Sequence, residues 1–350
     1  MSDVIVAPET RDLAELGTLL AEWLAGKLPD ASDVEVRNLA YPRGAGQSHE
    51  TILFDARWIE QGRAREQGCV VRIKPGGFTV FPDDLFVQQY RVMDALARGK
   101  SVRVARPLWF EEDAALLGRP FFVMERKSGQ VPVSIPPYAR EGWLRDAAPE
   151  QRRVLWRNAV EQLAAVQRVP LAGLDFLAGP AGERGLEQEW NKYLRFARWL
   201  QEVEPLPVLT EALDRLRSLW PANRPEGLVW GDARIGNMMF DANFDVVAVM
   251  DWEQPSLGGA LHDLAWFCVI ADTMHGPGST YGAPLDGMGS REETVALWEE
   301  LTGNQAADLE WYEDFARFKM TCTGIRLGHL RGTRIMDEAA MARRLKVHAA

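Results

Sequence analysis

The chain has 350 residues, 47% hydrophobic and 26% charged, with a formal net charge of −10. That is enough chain for two domains or one large two-lobed unit with a sizeable core. The acidic balance argues against a protein that coats nucleic acid through a basic face. No apolar run reaches membrane-spanning length, so no membrane partner is expected. Three scattered cysteines, Cys69, Cys268 and Cys322, form no CxxC pair and read as buried thiols in a reducing compartment. The stretch MSDVIVAPETRDL lacks a basic segment followed by an apolar one, so a cytoplasmic protein is expected.

In chain order, residues 10–28 carry Leu13, Leu16, Leu20, Trp23 and Leu24 at helical spacing, with Thr10 as the candidate cap. VEVRNLA (34–40) alternates as a strand does, and YPRGAGQSH (41–49) is a turn-rich loop. ETILFDARW (50–58) and CVVRIKP (69–75) read as strands joined by the polar connection EQGRAREQG. FVQQYRVMDAL (86–96) is helical, and VRVARPLWFEED and RPFFVMERK hold two more strands. From there amphipathic helices dominate: residues 149–169, 184–203 and 209–220, then 261–274, 290–303 and 306–327. Short strands, GLVW, MMFD and VVAVM, interrupt them, and residues 275–290 form a Gly/Pro-rich loop of the kind that is functional or mobile.

The chemistry concentrates in GLVWGDARIGNMMFD (227–241) and the MDWE that follows. Asp232 stands at the end of a predicted strand, where a carboxylate can orient or deprotonate a substrate hydroxyl. Asn237 offers an amide oxygen and Asp251 a carboxylate at the end of VVAVM. Oxygen ligands of this kind suit Mg²⁺, which takes the rest of its shell from water or phosphate. Any one of these residues is more often a turn-former than a ligand. The combination is far more specific: the Asp-to-Asn interval equals that of the kinase catalytic loop, and a second Asp follows one strand–turn–strand later. Arg234, inside the loop, can neutralise a transferred phosphoryl group or pair with a carboxylate.

The stretch GDARIGNMMF…VMDWE resembles the aminoglycoside phosphotransferase family, which is related to choline kinases and protein kinases and usually reads H-G-D-x-x-x-x-N followed by I-D-W/F-E. In particular it resembles the bacterial branch that occurs fused to or beside acyl-CoA dehydrogenases. The resemblance implies an α+β, protein-kinase-like bilobal fold with ATP between the lobes. Residues 1–125 would form a small antiparallel β N-lobe with an N-terminal helix, and residues 126–350 a larger, mainly helical C-lobe. RGAGQSHETILF resembles the loop that covers the nucleotide, with Gly44 and Gly46 approaching phosphates and Gln47, Ser48 and His49 at the tip. Arg72 lies where the family has its phosphate-pairing basic residue, with Lys74 on the same face of the strand as substitute. Gln89 takes the position of the Glu that pairs with it. RPFFVMERKSG resembles the inter-lobe connection, so that the backbone of Glu125 and Arg126 would meet adenine and Met124 would line its pocket.

Trp230 is a departure, standing where the family usually has His, and it requires the loop to be braced differently. Asp263, in LHDLAWF, matches the family's D-L-A and reads as a bracing carboxylate; His262 reads as structural. Asp272, Asp286, Glu313 and Asp314 could attract a cationic acceptor, although a solvated helix face explains the last two equally well. Trp190, Trp199, Trp266 and Trp311 could line an apolar acceptor pocket, although helices more often bury Trp for stability. The expectation is an ATP- and Mg²⁺-dependent transfer of a phosphoryl group to a small-molecule hydroxyl, with Asp232 and Arg234 catalytic and Asn237 and Asp251 on the metal. The rivals are a nucleotide-binding pseudokinase scaffold, motivated by Trp230 and Gln89, and an unrelated helical binding protein whose Asp and Asn only form turns. Oligomeric state is not written in the sequence.

Overall fold

A computed structural model describes residues 11–42, 50–77, 79–279, 281, 284–333 and 337–348. The chain divides into two compact units, Met1–Thr79 with Ala105–Ser128, and Val80–Val104 with Gly129–Ala350.

The first unit is a helix on a sheet. Helix α1 (Leu13–Lys27) is capped by Asp12, whose carboxylate accepts from the amides of Ala14 and Glu15. The cap is therefore Asp12, and the expected Thr10 lies outside the described residues. Strands β1 (Ala31–Ala40), β2 (Glu50–Glu60), β3 (Arg63–Ile73), β4 (Pro107–Glu111) and β5 (Phe121–Glu125) form one antiparallel sheet in the order β1-β2-β3-β5-β4. The period of two sends Ile52, Phe54 and Ala56 from β2, and Val71 and Ile73 from β3, into a core closed by Leu16, Leu20 and Leu24 of α1. The polar stretch 60–68, read as a connection, is instead the far half of a long β2–β3 hairpin with Glu60 opposite Arg63. Gln61 and Gly62 both have positive φ, 51° and 71°. That is the two-residue primed turn whose twist matches antiparallel strands.

The second unit is mainly helical. It contains α2 (Phe86–Gly99), α3 (Trp143–Asp146), α4 (Pro149–Gln167), α5 (Gly185–Gln201), α6 (Pro207–Ser218), α7 (Leu261–His275), α8 (Arg291–Thr302), α9 (Leu309–Arg331) and α10 (Glu338–Leu345). The pair β6 (Met238–Phe240) and β7 (Val246–Val249) forms a short antiparallel ribbon. GLVW contributes only an isolated bridge, Val229 to Ser256. Helix α7 packs against α8 and α9, and α4 against α8 and β7. Trp230, Trp252, Trp298, Phe315 and Phe318 are fully buried here. The described part of the 275–290 loop is pinned to α4: Arg152 Nε donates to the Asp286 carbonyl at 2.6 Å, and Gly289 lies so close to the Trp156 ring that a Cβ would sit 2.1 Å from it.

Candidate active site

Sequence neighbours build the site first. Gly231 has a φ of 105°, and a Cβ there would come within 2.6 Å of the Gln254 carbonyl, so the residue before Asp232 has to be glycine. Trp230 is fully buried, and its indole N–H donates to the Met250 carbonyl at 2.7 Å. The residue that replaces the expected His therefore ties the loop directly to the residue before Asp251. Its ring lies 5.9 Å from that of Trp252, whose own N–H reaches the Val249 carbonyl at 3.0 Å.

Asp263, on the first turn of α7, braces the same loop from the other side. Its Oδ2 accepts the Trp230 amide at 2.6 Å and its Oδ1 the Gly231 amide at 3.0 Å. Burial pushes its pKa up to about 6, with the two amides pulling the other way.

The Asp232 carboxylate collects three N–H donors. Arg234 Nε and Asn237 Nδ2 reach Oδ2 at 3.0 and 2.7 Å, and Trp266 Nε1 reaches Oδ1 at 2.8 Å. The side chains of Asp232 and Arg234 keep 28% and 25% of their surface exposed, so the pair is accessible. Arg234 Nη1 also donates to Ser134 Oγ at 2.7 Å. Burial works against the charge on Arg234, but Asp232 and Asp251 outweigh it and hold its pKa above the ordinary arginine value. Asp251 has a φ of 62°, in the left-handed region that Asp tolerates better than most residues.

Asn237 spends its Nδ2 on the carboxylate and the carbonyl of Asp232, which leaves its Oδ1 as a candidate cation ligand. Its backbone carbonyl accepts the Met250 amide at 2.8 Å, so Asn237 and Asp251 flank one end of the β6–β7 ribbon. Among the described residues no group of three or more His, Cys, Asp or Glu could hold a metal ion. Two oxygen ligands fit Mg²⁺ completed by phosphates and water, and do not fit an all-protein cage.

Gly46, Gln47, Ser48 and His49 lie outside the described residues. Arg72 and Lys74 are half-buried on and just after β3, and Met124 is half-buried on β5. The amides of Glu125 and Arg126 already donate, to the carbonyls of Arg106 at 3.0 Å and Gly68 at 2.8 Å. Both amides are therefore already engaged by the sheet and its neighbouring strand end. Gln89 is fully buried on α2, and neither its Oε1 nor its Nε2 has a hydrogen-bond partner among the described residues.

The acidic and aromatic acceptor candidates divide. Glu313 pairs with Arg291 at 2.5 Å, and Asp314 with Arg215, Arg317 and Lys346 at 2.9, 3.1 and 2.7 Å. Trp190 and Trp311 are core, stacked edge-on around Trp220. Trp199 packs on Phe196 and under Arg326. Of the four tryptophans Trp266 is the one that reaches the Asp232 carboxylate. That contact and the Ser134 contact span 34 and 100 residues, with no local signal to announce them.

Residues 45–301 match the family model described as the phosphotransferase enzyme family. The chain belongs to this family. It is 28% identical over 318 residues to the probable acyl-CoA dehydrogenase IBR3 of Arabidopsis thaliana, across 85% of this chain and 37% of that one; it thus spans under two fifths of that relative's length. A Ralstonia eutropha protein provisionally assigned as an aminoglycoside phosphotransferase matches with a TM-score of 0.65 and 25% identity, over 94% of this chain and 93% of the other. Aminoglycoside phosphotransferase APH(4)-Ia, solved with ADP and hygromycin B, matches with a TM-score of 0.53 and 16% identity over 93% and 96%. The fold is the kinase-like one of the aminoglycoside phosphotransferases, α+β with an antiparallel sheet and a larger helical part. Membership places the chain in a family of phosphotransferases. Among the described residues no helix is long and apolar enough to cross a membrane.

Proposed function

We propose that this chain is an ATP- and Mg²⁺-dependent O-phosphotransferase that moves the γ-phosphoryl group of ATP to the hydroxyl of a small molecule. The supporting observation is a half-exposed Asp232 carboxylate held by three N–H donors on a braced loop, with Asn237 and Asp251 supplying oxygen donors. Asp232 orients the acceptor hydroxyl and takes its proton. Arg234 keeps its Nε on Asp232 and offsets the charge of the phosphoryl oxygens. Asn237 and Asp251 hold Mg²⁺, which when bound neutralises phosphate charge. Arg72, with Lys74 as substitute, steadies the α- and β-phosphates. Met124, Glu125 and Arg126 meet the nucleotide's base. Residues 1–125 act as the nucleotide-binding lobe and residues 126–350 as the catalytic and substrate-binding lobe.

The acyl-CoA dehydrogenase name of the relative puts hydroxylated acyl thioesters first among acceptors to test, before amino alcohols, sugars and aminoglycosides. Neither nucleic acid nor a membrane is a partner in this reading. Three buried free cysteines accord with a cytoplasmic setting. The buried, unpartnered amide of Gln89 favours a second reading, a catalytically weak nucleotide-binding scaffold.

Calorimetry with Mg·ATP, followed by ATP turnover across those acceptor classes, separates the two. Wild type should bind and turn over with at least one class, and Asp232→Ala should bind without turnover. Binding by both proteins with no turnover across the panel favours the scaffold, and no binding by either refutes both readings.

A further inference from the structure

The three donors on Asp232 are not shared evenly between its oxygens. Each carboxylate oxygen has two lone-pair directions. Oδ2 accepts from both Arg234 Nε and Asn237 Nδ2, at 3.0 and 2.7 Å. Among the described residues Oδ1 accepts from Trp266 Nε1 alone, at 2.8 Å. Oδ1 is therefore the oxygen with a direction left for an incoming hydroxyl. Trp266 sets where that direction points, because an N–H bond to one lone pair fixes the carboxylate's rotation about its Cβ–Cγ bond.

Trp266 is well placed to do so. It sits three residues after Asp263 on α7, so both project from one face of the helix. Asp263 grips the backbone amides that lead into Asp232, and Trp266 grips its carboxylate. Backbone and reacting group are thereby referenced to a single rigid helix, anchored by its packing on α9. The indole is only partly buried, unlike Trp230, Trp252 and Trp298, so packing alone does not account for its placement.

We infer that Trp266 is a positioning residue: its indole N–H holds the Asp232 carboxylate so that Oδ1 is the oxygen that receives the acceptor's proton. The inference rests on the phosphotransferase reading for its consequence, and on the contact alone for its existence, so the test has two arms.

The first arm needs no acceptor. In a ¹⁵N-indole spectrum, the Trp266 resonance, identified by its absence in Trp266→Phe, should lie where an N–H bonded to a carboxylate lies. In Asp232→Ala it should move away from that position. A resonance indifferent to Asp232→Ala overturns the contact and the inference with it. The second arm uses whichever acceptor the wild type turns over. Trp266→Phe keeps an aromatic ring and removes the donor, so kcat should fall roughly tenfold, the size of one hydrogen bond to a charged group. KM for ATP should stay put, so that the loss falls on kcat alone. An unchanged kcat, or a loss confined to KM for ATP, would overturn the positioning role. If the wild type turns over nothing, the phosphotransfer reading fails, and the indole response decides the contact alone.

Discussion

Two polar clusters lie in the helical unit, and they are built on opposite terms. The first surrounds Glu189 of α5. Lys319 of α9 pairs with Glu189 Oε2, Ser256 Oγ donates to Oε1 at 2.6 Å, and Lys192 stands 3.8 Å away while donating to the Gln254 carbonyl at 3.2 Å. Lys319 also approaches His262 Nδ1 at 3.4 Å and lies over the rings of Tyr193 and Phe315. Glu189, Lys192, Lys319, Ser256 and His262 are all buried. Burial alone would raise the Glu189 pKa, but the two ammonium groups draw it well below the usual carboxylate range. Burial and Lys319 together keep His262 neutral. The second cluster, around Asp232, is half-exposed and has an oxygen still open to a partner. The lesson is that charge and hydrogen bonding do not separate structure from chemistry. Access and spare bonding capacity do.

The comparison breaks most visibly at Asp232. Asp232→Ala should lower turnover by about a thousandfold, as loss of a general base does, and shift folding stability by no more than about 1 kcal/mol because the pair is partly solvated. Activity assays beside urea unfolding check both halves. Glu189→Gln should do the reverse, costing about 3–5 kcal/mol by leaving a buried ammonium uncompensated. If it unfolds no more easily than Asp232→Ala, the two clusters are not different in kind.

Gly231→Ala tests the seam between them, since its Cβ would strike the Gln254 carbonyl, which is also the acceptor for Lys192. It should cost about 3 kcal/mol, read from the denaturant midpoint. Asp263 provides a smaller, pH-dependent test. Its pKa is raised by burial to about 6, so its contribution to stability is full below the ordinary aspartate range and declines as pH rises through 6. Asp263→Asn should therefore lose less stability between pH 4 and 6.5 than wild type does. Smallest of all, Gln89→Leu should be neutral or stabilising by about 1 kcal/mol, because it removes a buried amide with no partner among the described residues.

What could be read without coordinates follows the range of the forces involved. The Asp232, Asn237 and Asp251 spacing was legible because loop, ribbon and turn are local. The helices of the second unit were legible from their stripes. The β2–β3 hairpin was not, because its outer half, REQG-like and solvated, carries no apolar alternation, and its turn puts Gln61 in a conformation usually left to Gly or Asn. The short helices α3 and α10 are too brief for periodicity to show. Trp266 and Ser134 could not be placed because tertiary packing alone brings them to the loop. Trp230 stood out as a departure, and only its 2.7 Å bond to Met250 explains how the loop stays tied without the usual His.

The most direct measurement is transfer of labelled γ-phosphate from Mg·ATP to a panel of hydroxyl compounds by wild type and Asp232→Ala, with both proteins verified as folded by their melting temperatures. Wild type should yield a phosphorylated product with at least one acceptor and Asp232→Ala none, at an unchanged melting temperature. Equal product from the two proteins would contradict the role of Asp232 as the base.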